Sequence, residues 1–134
     1  LPSMREKGKG VITNISSLAA WSAYPLVAYK TTKSAVIALT EQLAIQNARF
    51  GIRANVILPG LMDTPMAVDT RVRVLSKSRE EIAADRGAKV PLGRKMGTGW
   101  DVANAALFLA SDDAGFITGA ALPVDGGTSV SLGI

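Results

Sequence analysis

The strongest constraint on the fold is a strand–helix–strand pattern spread over residues 10–60. Residues 10–16, GVITNIS, form a short β-branched run, the pattern of a buried parallel strand. From about Ala28 to Phe50 the pattern becomes helical, with Val36, Leu39, Leu43 and neighbouring alanines supplying an apolar stripe. Gly51 stands where a helix C-cap is expected. Residues 52–58, IRANVIL, read as a second buried strand, turned at its end by Pro59-Gly60. Such a βαβ unit requires a parallel sheet and a right-handed crossover. Ligands of these sheets sit beyond the carboxyl ends of the strands. The serines after the first strand and the Pro59-Gly60 turn therefore belong at one edge.

Further elements follow in order. Ser78-x-x-Glu81 reads as a capping box opening a short helix that closes at Gly87. Asp101 is expected to cap a last helix, VANAALFLAS, and residues 119–124 to form a third strand ended by Asp125-Gly126-Gly127. Residues 1–9 are expected to hold no complete element, only the tail of a helix. The irregular excursion over 65–97 leaves the ligand edge and is expected to be a substrate lid.

Composition narrows the chemistry. The 134 residues fit one domain, and 48% hydrophobic content suffices for a core. Neither cysteine nor histidine is present, which removes Ser-His-Asp hydrolases, Cys-His proteases and the usual zinc sites, so no metal is expected. No apolar run reaches membrane-spanning length and the start does not read as a signal peptide, so a cytoplasmic protein away from membranes is expected. The net charge is +4, and residues 69–95 carry the whole excess, with eight basic against four acidic side chains. Those bases are spread out and lack interleaved aromatics, so a solvated face is expected rather than a nucleic-acid surface.

What remains is carboxylate, hydroxyl, phenol and lysine chemistry, and one stretch concentrates it. In SSLAAWSAYPLVAYKTTK, residues 16–33, Tyr29 and Lys33 stand one helical turn apart and project from the same face. A free phenol titrates near 10, too high for a base at neutral pH, and a neighbouring cation favours the phenolate. The loop over 18–28, with Trp21, Tyr24 and Pro25, is placed either to line a pocket or to pack.

Asn14-Ile15-Ser16-Ser17 followed by Tyr29-x-x-x-Lys33 resembles the short-chain dehydrogenases/reductases. So do Asn55-x-x-x-Pro59-Gly60-x-x-x-Thr64, Asp101-Val102-Ala103, and Ile117-Thr118-Gly119 leading to Val124-Asp125-Gly126-Gly127. The resemblance covers nearly the whole chain. It implies a Rossmann-like, doubly wound α/β fold with hydride transfer between NAD or NADP and a small carbonyl compound or secondary alcohol. Ser17 would then orient the substrate, with Ser16 the competing choice. Tyr29 would be the general acid/base, and Lys33 would ease loss of the phenolic proton and bind the nicotinamide ribose. Pro59, Gly60, Met62 and Thr64 would lie along the nicotinamide. The resemblance also implies a homo-oligomer, dimer or tetramer, paired in part through the long helix.

One part of the family pattern is missing. No glycine-rich phosphate-binding turn occurs in the 134 residues, so the chain corresponds to the C-terminal half of such a fold, without its dinucleotide-binding βαβ half. Two other readings stay open at this point: a non-catalytic half acting as an assembly or binding module, and an epimerase or lyase using the same Tyr/Lys pair.

Overall fold

The computed structural model describes residues 1–131. Three parallel strands, β1 (Gly10–Ile15), β2 (Ile52–Pro59) and β3 (Ala121–Val124), form a sheet in the order β1-β2-β3. Five helices accompany them: α1 (Pro2–Lys7), α2 (Val27–Asn47), α3 (Asp69–Leu75), α4 (Arg79–Gly87) and α5 (Gly99–Ala110). This is the Rossmann-like α/β architecture expected from the βαβ pattern.

β2 is the spine. Ala54, Asn55, Val56, Ile57 and Leu58 are all buried, so residues of both parities are covered and both faces of the strand are enclosed. Both α2 and α5 pack on it. β1 lies in register from Gly10 opposite Ile52 to Ile15 opposite Ile57. Its other edge has no strand among the described residues. β3 is the opposite edge, where Pro123, which lacks a backbone donor, is tolerated.

The long helix differs from its sequence pattern in which face it buries. Thr40, Ala44 and Asn47, at i, i+4 and i+7, form the buried stripe of α2. Their small or self-satisfied side chains let the helix approach the sheet. The Thr40 hydroxyl donates to the Val36 carbonyl (2.6 Å) and accepts from Asn14 Nδ2 (2.9 Å). Asn47 is pinned by Arg5 from α1 (2.6 Å). Leu39, expected on the inner stripe, is 55% exposed, and Ile45 is 73% exposed. Hydrophobic periodicity failed here because the inner positions are small and partly polar while the outer ones are large and apolar.

Element boundaries shift for identifiable reasons. Residues 1–9 do hold a helix, α1, started by Pro2 in its first turn and stopped by Gly8 in the left-handed conformation. The helix cap expected at Asp101 falls on Thr98. Asp101 is the third helical residue, and its carboxylate accepts from the Thr98 N–H (2.6 Å) and hydroxyl (2.8 Å). The third strand begins only at Ala121, because Gly119 and Ala120 already donate to the Ala54 carbonyl and the Asn55 side chain. Gly51 ends the α2 region at φ 67°, as expected, and its missing Cβ leaves room for the Gly8 carbonyl.

Two polar side chains of β2 tie the sheet to the C-terminal region. The Arg53 guanidinium donates to the Leu109 and Ser111 carbonyls (both 2.8 Å), meeting the negative end of α5. Buried Asn55 donates to the Ile117 carbonyl (2.9 Å) and accepts from the Ala120 N–H (3.0 Å). Among the described residues, no helix is long and apolar enough to cross a membrane.

Candidate active site

The chain leaves the carboxyl end of β1 at Ser16 and Ser17 and enters α2 at Val27 after a short loop, and hydrogen bonds from Ser16 and Lys33 tie the start of α2 to the strand end. Ser16 is buried, and its hydroxyl donates to the Lys33 carbonyl (2.7 Å), joining strand end to helix. Ser17 caps the short 3-10 turn Leu18–Ala20 by accepting from the Ala19 N–H (3.2 Å). Lys33 donates from Nζ to the Ile15 carbonyl (3.1 Å), the last residue of β1. The same ammonium lies 5.7 Å from the centroid of the Tyr29 ring. Among the described residues the Tyr29 hydroxyl makes no hydrogen bond within the protein, which leaves it able to donate or accept.

Ser16, Ser17, Tyr29, Lys33, Pro59 and Gly60 line a single cavity of about 1230 Å³. Met62 and Thr64 line it as well. Every site residue expected from the sequence is thus brought to one opening at the carboxyl edge of the sheet. Gly60 is needed there for space. Its N–H donates to the Val124 carbonyl (3.0 Å), and a Cβ at this position would stand 2.7 Å from Cβ of Asp125. The Thr64 carbonyl and hydroxyl are engaged by the N–H groups at the next turn, so its place on the wall is fixed by local bonds. Met62 is buried and pairs with Gly97 in an isolated parallel bridge.

Lys30 carries a role that the sequence did not announce. Its Nζ donates to the carbonyls of Ala19 (3.3 Å), Ala20 (3.0 Å) and Ser22 (2.6 Å), stapling the loop after β1 to α2. The Ser34 hydroxyl reaches the Ala20 carbonyl from the next turn (3.2 Å). Of the two lysines near Tyr29, one holds the loop and the other faces the cavity. Three free carbonyls at the end of a 3-10 turn were the available signal, legible only once that turn is known. Trp21 and Tyr24 of the same loop line the cavity, and the Tyr24 ring packs 5.7 Å from that of Tyr29.

The remaining wall comes from the excursion after β2. Its two ends meet where Asp63 N–H donates to the Gly97 carbonyl (2.8 Å) and Gly97 N–H to the Leu61 carbonyl (3.0 Å). Between them lie α3 and α4, which line the opening, with Val68, Ile82 and Val90 buried and Val90 packed against Gly126. Val74, Leu75, Arg71 and Arg86 border the cavity. Arg79 of α4 pairs with Asp63 at the neck and with Asp69 of α3 (3.4 Å), holding the two helices to their base. Just past β3, Asp125 accepts from the Gly127 and Ser129 N–H groups; burial pushes its carboxyl up, but these contacts together outweigh it and hold the carboxyl below the usual range. Among the described residues no cluster of carboxylates could hold a metal ion.

Comparison with known proteins agrees with this arrangement. A family model described as Enoyl-(Acyl carrier protein) reductase matches residues 1–129. The 2-(R)-hydroxypropyl-CoM dehydrogenase of Xanthobacter autotrophicus is 42% identical over 127 residues, covering 94% of this chain and 48% of that protein. The ligand-free aldohexose dehydrogenase AldT of Thermoplasma acidophilum superposes with a TM-score of 0.90 at 36% identity, over 99% of this chain and 53% of that one. A structure of ElxO with NADP bound gives a TM-score of 0.84 at 35% identity, over 98% of this chain and 51% of that one. The chain spans about half the length of the relatives it matches. Parallel sheet, tyrosine–lysine pair and relatives converge, and the chain belongs to the short-chain dehydrogenase/reductase family.

Proposed function

We propose that the protein carrying this chain is an NAD- or NADP-dependent oxidoreductase acting on a small carbonyl compound or secondary alcohol. The observation that carries this reading is the convergence of Ser17, Tyr29 and Lys33 on one cavity at the carboxyl edge of the sheet. The relatives named as dehydrogenases and the neighbour holding NADP support it. The residues suit such a cofactor on this structure's own terms. An ammonium, an uncommitted phenol and the glycine-narrowed turn at Gly60 border the same space. Lys33 would bind its ribose, while Pro59, Gly60, Met62 and Thr64 would hold the nicotinamide. That cofactor, when bound, takes up or supplies the hydride.

The chain's own residues manage the proton. In the oxidation direction Ser17 holds the substrate hydroxyl, and the Tyr29 oxygen accepts the hydroxyl proton as hydride departs from the same carbon. In reduction the Tyr29 hydroxyl returns the proton to the carbonyl oxygen. The Lys33 ammonium stabilises the phenolate charge through the space between them. Ser16, with its hydroxyl committed to the Lys33 carbonyl, serves the reading better as a positioning residue.

Tyr29→Phe in the native protein tests this. Turnover should fall by about a hundredfold or more, the scale of a lost general acid/base, with cofactor affinity nearly intact. Turnover within a few-fold of wild type would overturn the assignment. Homo-oligomeric assembly belongs to the same proposal, supported by exposed Leu39 and Ile45 on α2 and Leu107 and Phe108 on α5. Sedimentation giving only a monomer would remove it. Cytoplasmic location is also part of the proposal, and cell fractionation reads it.

A further inference from the structure

The cavity has a one-sided charge pattern. Lys33, Arg71, Arg86 and Lys89 line it, and no aspartate or glutamate does. Lys33 is accounted for by its contacts with Ile15 and Tyr29. The other three come from α3, α4 and the residues just after α4, the roof of the cavity. Two cations of this roof have carboxylate partners: Arg79 has Asp63 and Asp69, and Lys77 has Asp85. Among the described residues, Arg71 and Arg86 have none. Arg71 uses one nitrogen on the Ala67 carbonyl (2.6 Å). Arg86 has a buried Nε without any hydrogen-bond partner.

A buried donor left unpaired on a charged group is costly, and such groups are normally satisfied. Burial and the neighbouring Arg71 charge both push the Arg86 guanidinium below its ordinary value, in that order of size. Two like charges held together on an apolar wall are relieved by an anion between them. Around them the wall is apolar, with Met66, Val74 and Leu75. Tyr24 connects this region to the chemistry: it lines the same cavity, and its ring lies 5.7 Å from that of Tyr29.

We infer that Arg71 and Arg86, assisted by Lys89, form an anion subsite in the roof of the cavity, and that the substrate is a carbonyl or alcohol compound carrying a carboxylate or phosphate on an apolar body. The placement of the reacting oxygen at Tyr29 rests on the function proposed above. The anion subsite rests on the roof alone.

The test follows the Arg86 Nε–H signal in proton–nitrogen NMR spectra of the native full-length protein. Acetate and inorganic phosphate are titrated separately, with acetamide as the neutral control. A saturable shift with either anion and none with acetamide is expected, and the anion that binds tighter identifies the head group. Arg86→Lys should weaken binding about tenfold, and Arg86→Leu about a hundredfold, the range for a lost charged hydrogen bond. No saturable shift, or an equal one with acetamide, overturns the subsite. Should Arg86→Leu not fold, Arg71→Leu takes its place with the same expected loss. NAD(P) affinity is measured on the same variants and should be unchanged. A parallel loss of cofactor affinity would assign these arginines to the cofactor's phosphates and overturn the inference. Anion binding that persists while Tyr29→Phe remains active would leave the subsite standing and remove only the catalytic reading.

Discussion

The sheet floor and the roof over the cavity meet the same polymer constraints in opposite ways. In β2 both polar side chains are committed: half-buried Arg53 to the end of α5, buried Asn55 to both sides of the segment entering β3. Where the floor needs a left-handed residue it has glycine, as at Gly51 and Gly119. The roof places Ser76 (φ 53°) and Arg94 (φ 49°) in that conformation, at about 1 kcal/mol or more each. Its ion pairs, Lys77–Asp85 and Arg79–Asp63, are exposed, and pairs of that kind contribute little. Arg86 keeps a buried donor unpaired. The floor keeps one buried hydroxyl unpaired, that of Thr13 on β1, but no strain and no unsatisfied charge, whereas the roof retains both beside the opening, where a ligand can use them.

The comparison breaks first at Asn55. Asn55→Leu would leave the Ala120 N–H without its partner and the Ile117 carbonyl with only the longer contact from Arg53 (3.4 Å), a loss of about 1–3 kcal/mol or more. Urea denaturation of the native protein should show a large drop in midpoint or no folded baseline. A change below about 1 kcal/mol would mean that water replaces the side chain and the floor is less committed than described.

Asp101 stands at the seam, on the first turn of α5 just after the neck of the roof. The Thr98 N–H, and then its hydroxyl, hold this carboxyl below its ordinary value. A depressed folded value stabilises the fold above the unfolded titration point and is lost as pH falls through the folded one. Wild type should therefore be more stable than Asp101→Asn at neutral pH, with the gap closing on the acid side of about pH 4. Thermal melts across that range check it. A gap independent of pH would assign the difference to cap geometry instead of charge.

The smallest effect has the opposite sign. Ser76→Gly relieves a left-handed C-cap at the end of α3 and should stabilise by about 0.5–1 kcal/mol. If the roof's strain serves ligand closure, the Michaelis constant for substrate should move while cofactor affinity does not. A stabilised variant with unchanged kinetics would make this strain incidental.

How legible each region was follows from the range of its interactions. α2, β2 and the Ser78–Glu81 capping box are local patterns, and all three appear where the sequence places them. Tyr29 and Lys33 needed only one helical turn to be paired, and the βαβ connection to be set above Ser17. Asn55 was visible as part of a motif, but its partners lie 62 and 65 residues away, so its role as a clamp was not. The error at Asp101 has a local cause. A carboxylate at the third helical position and one at the cap look alike when the preceding threonine is also a good cap. The inner face of α2 was misjudged at Leu39 because small residues mark a close helix–sheet approach that an apolar count does not register. Arg86 was one base among eight in a charged stretch, and only folding separates Arg71, Arg86 and Lys89, which line the cavity, from the rest.

The neck of the roof has an implication for how such a protein diversifies. The excursion is closed by backbone bonds between Leu61, Asp63 and Gly97, and main-chain groups pair without regard to which side chains they carry. The entropy of closing a loop grows only slowly with its length, by about 0.6 kcal/mol per doubling. A segment of different length or composition could therefore be grafted between these two points while the sheet, α2 and the tyrosine–lysine pair stay as they are. Descendants of one scaffold can in this way acquire new substrates by recombination at the neck, without reinventing the proton chemistry beneath it.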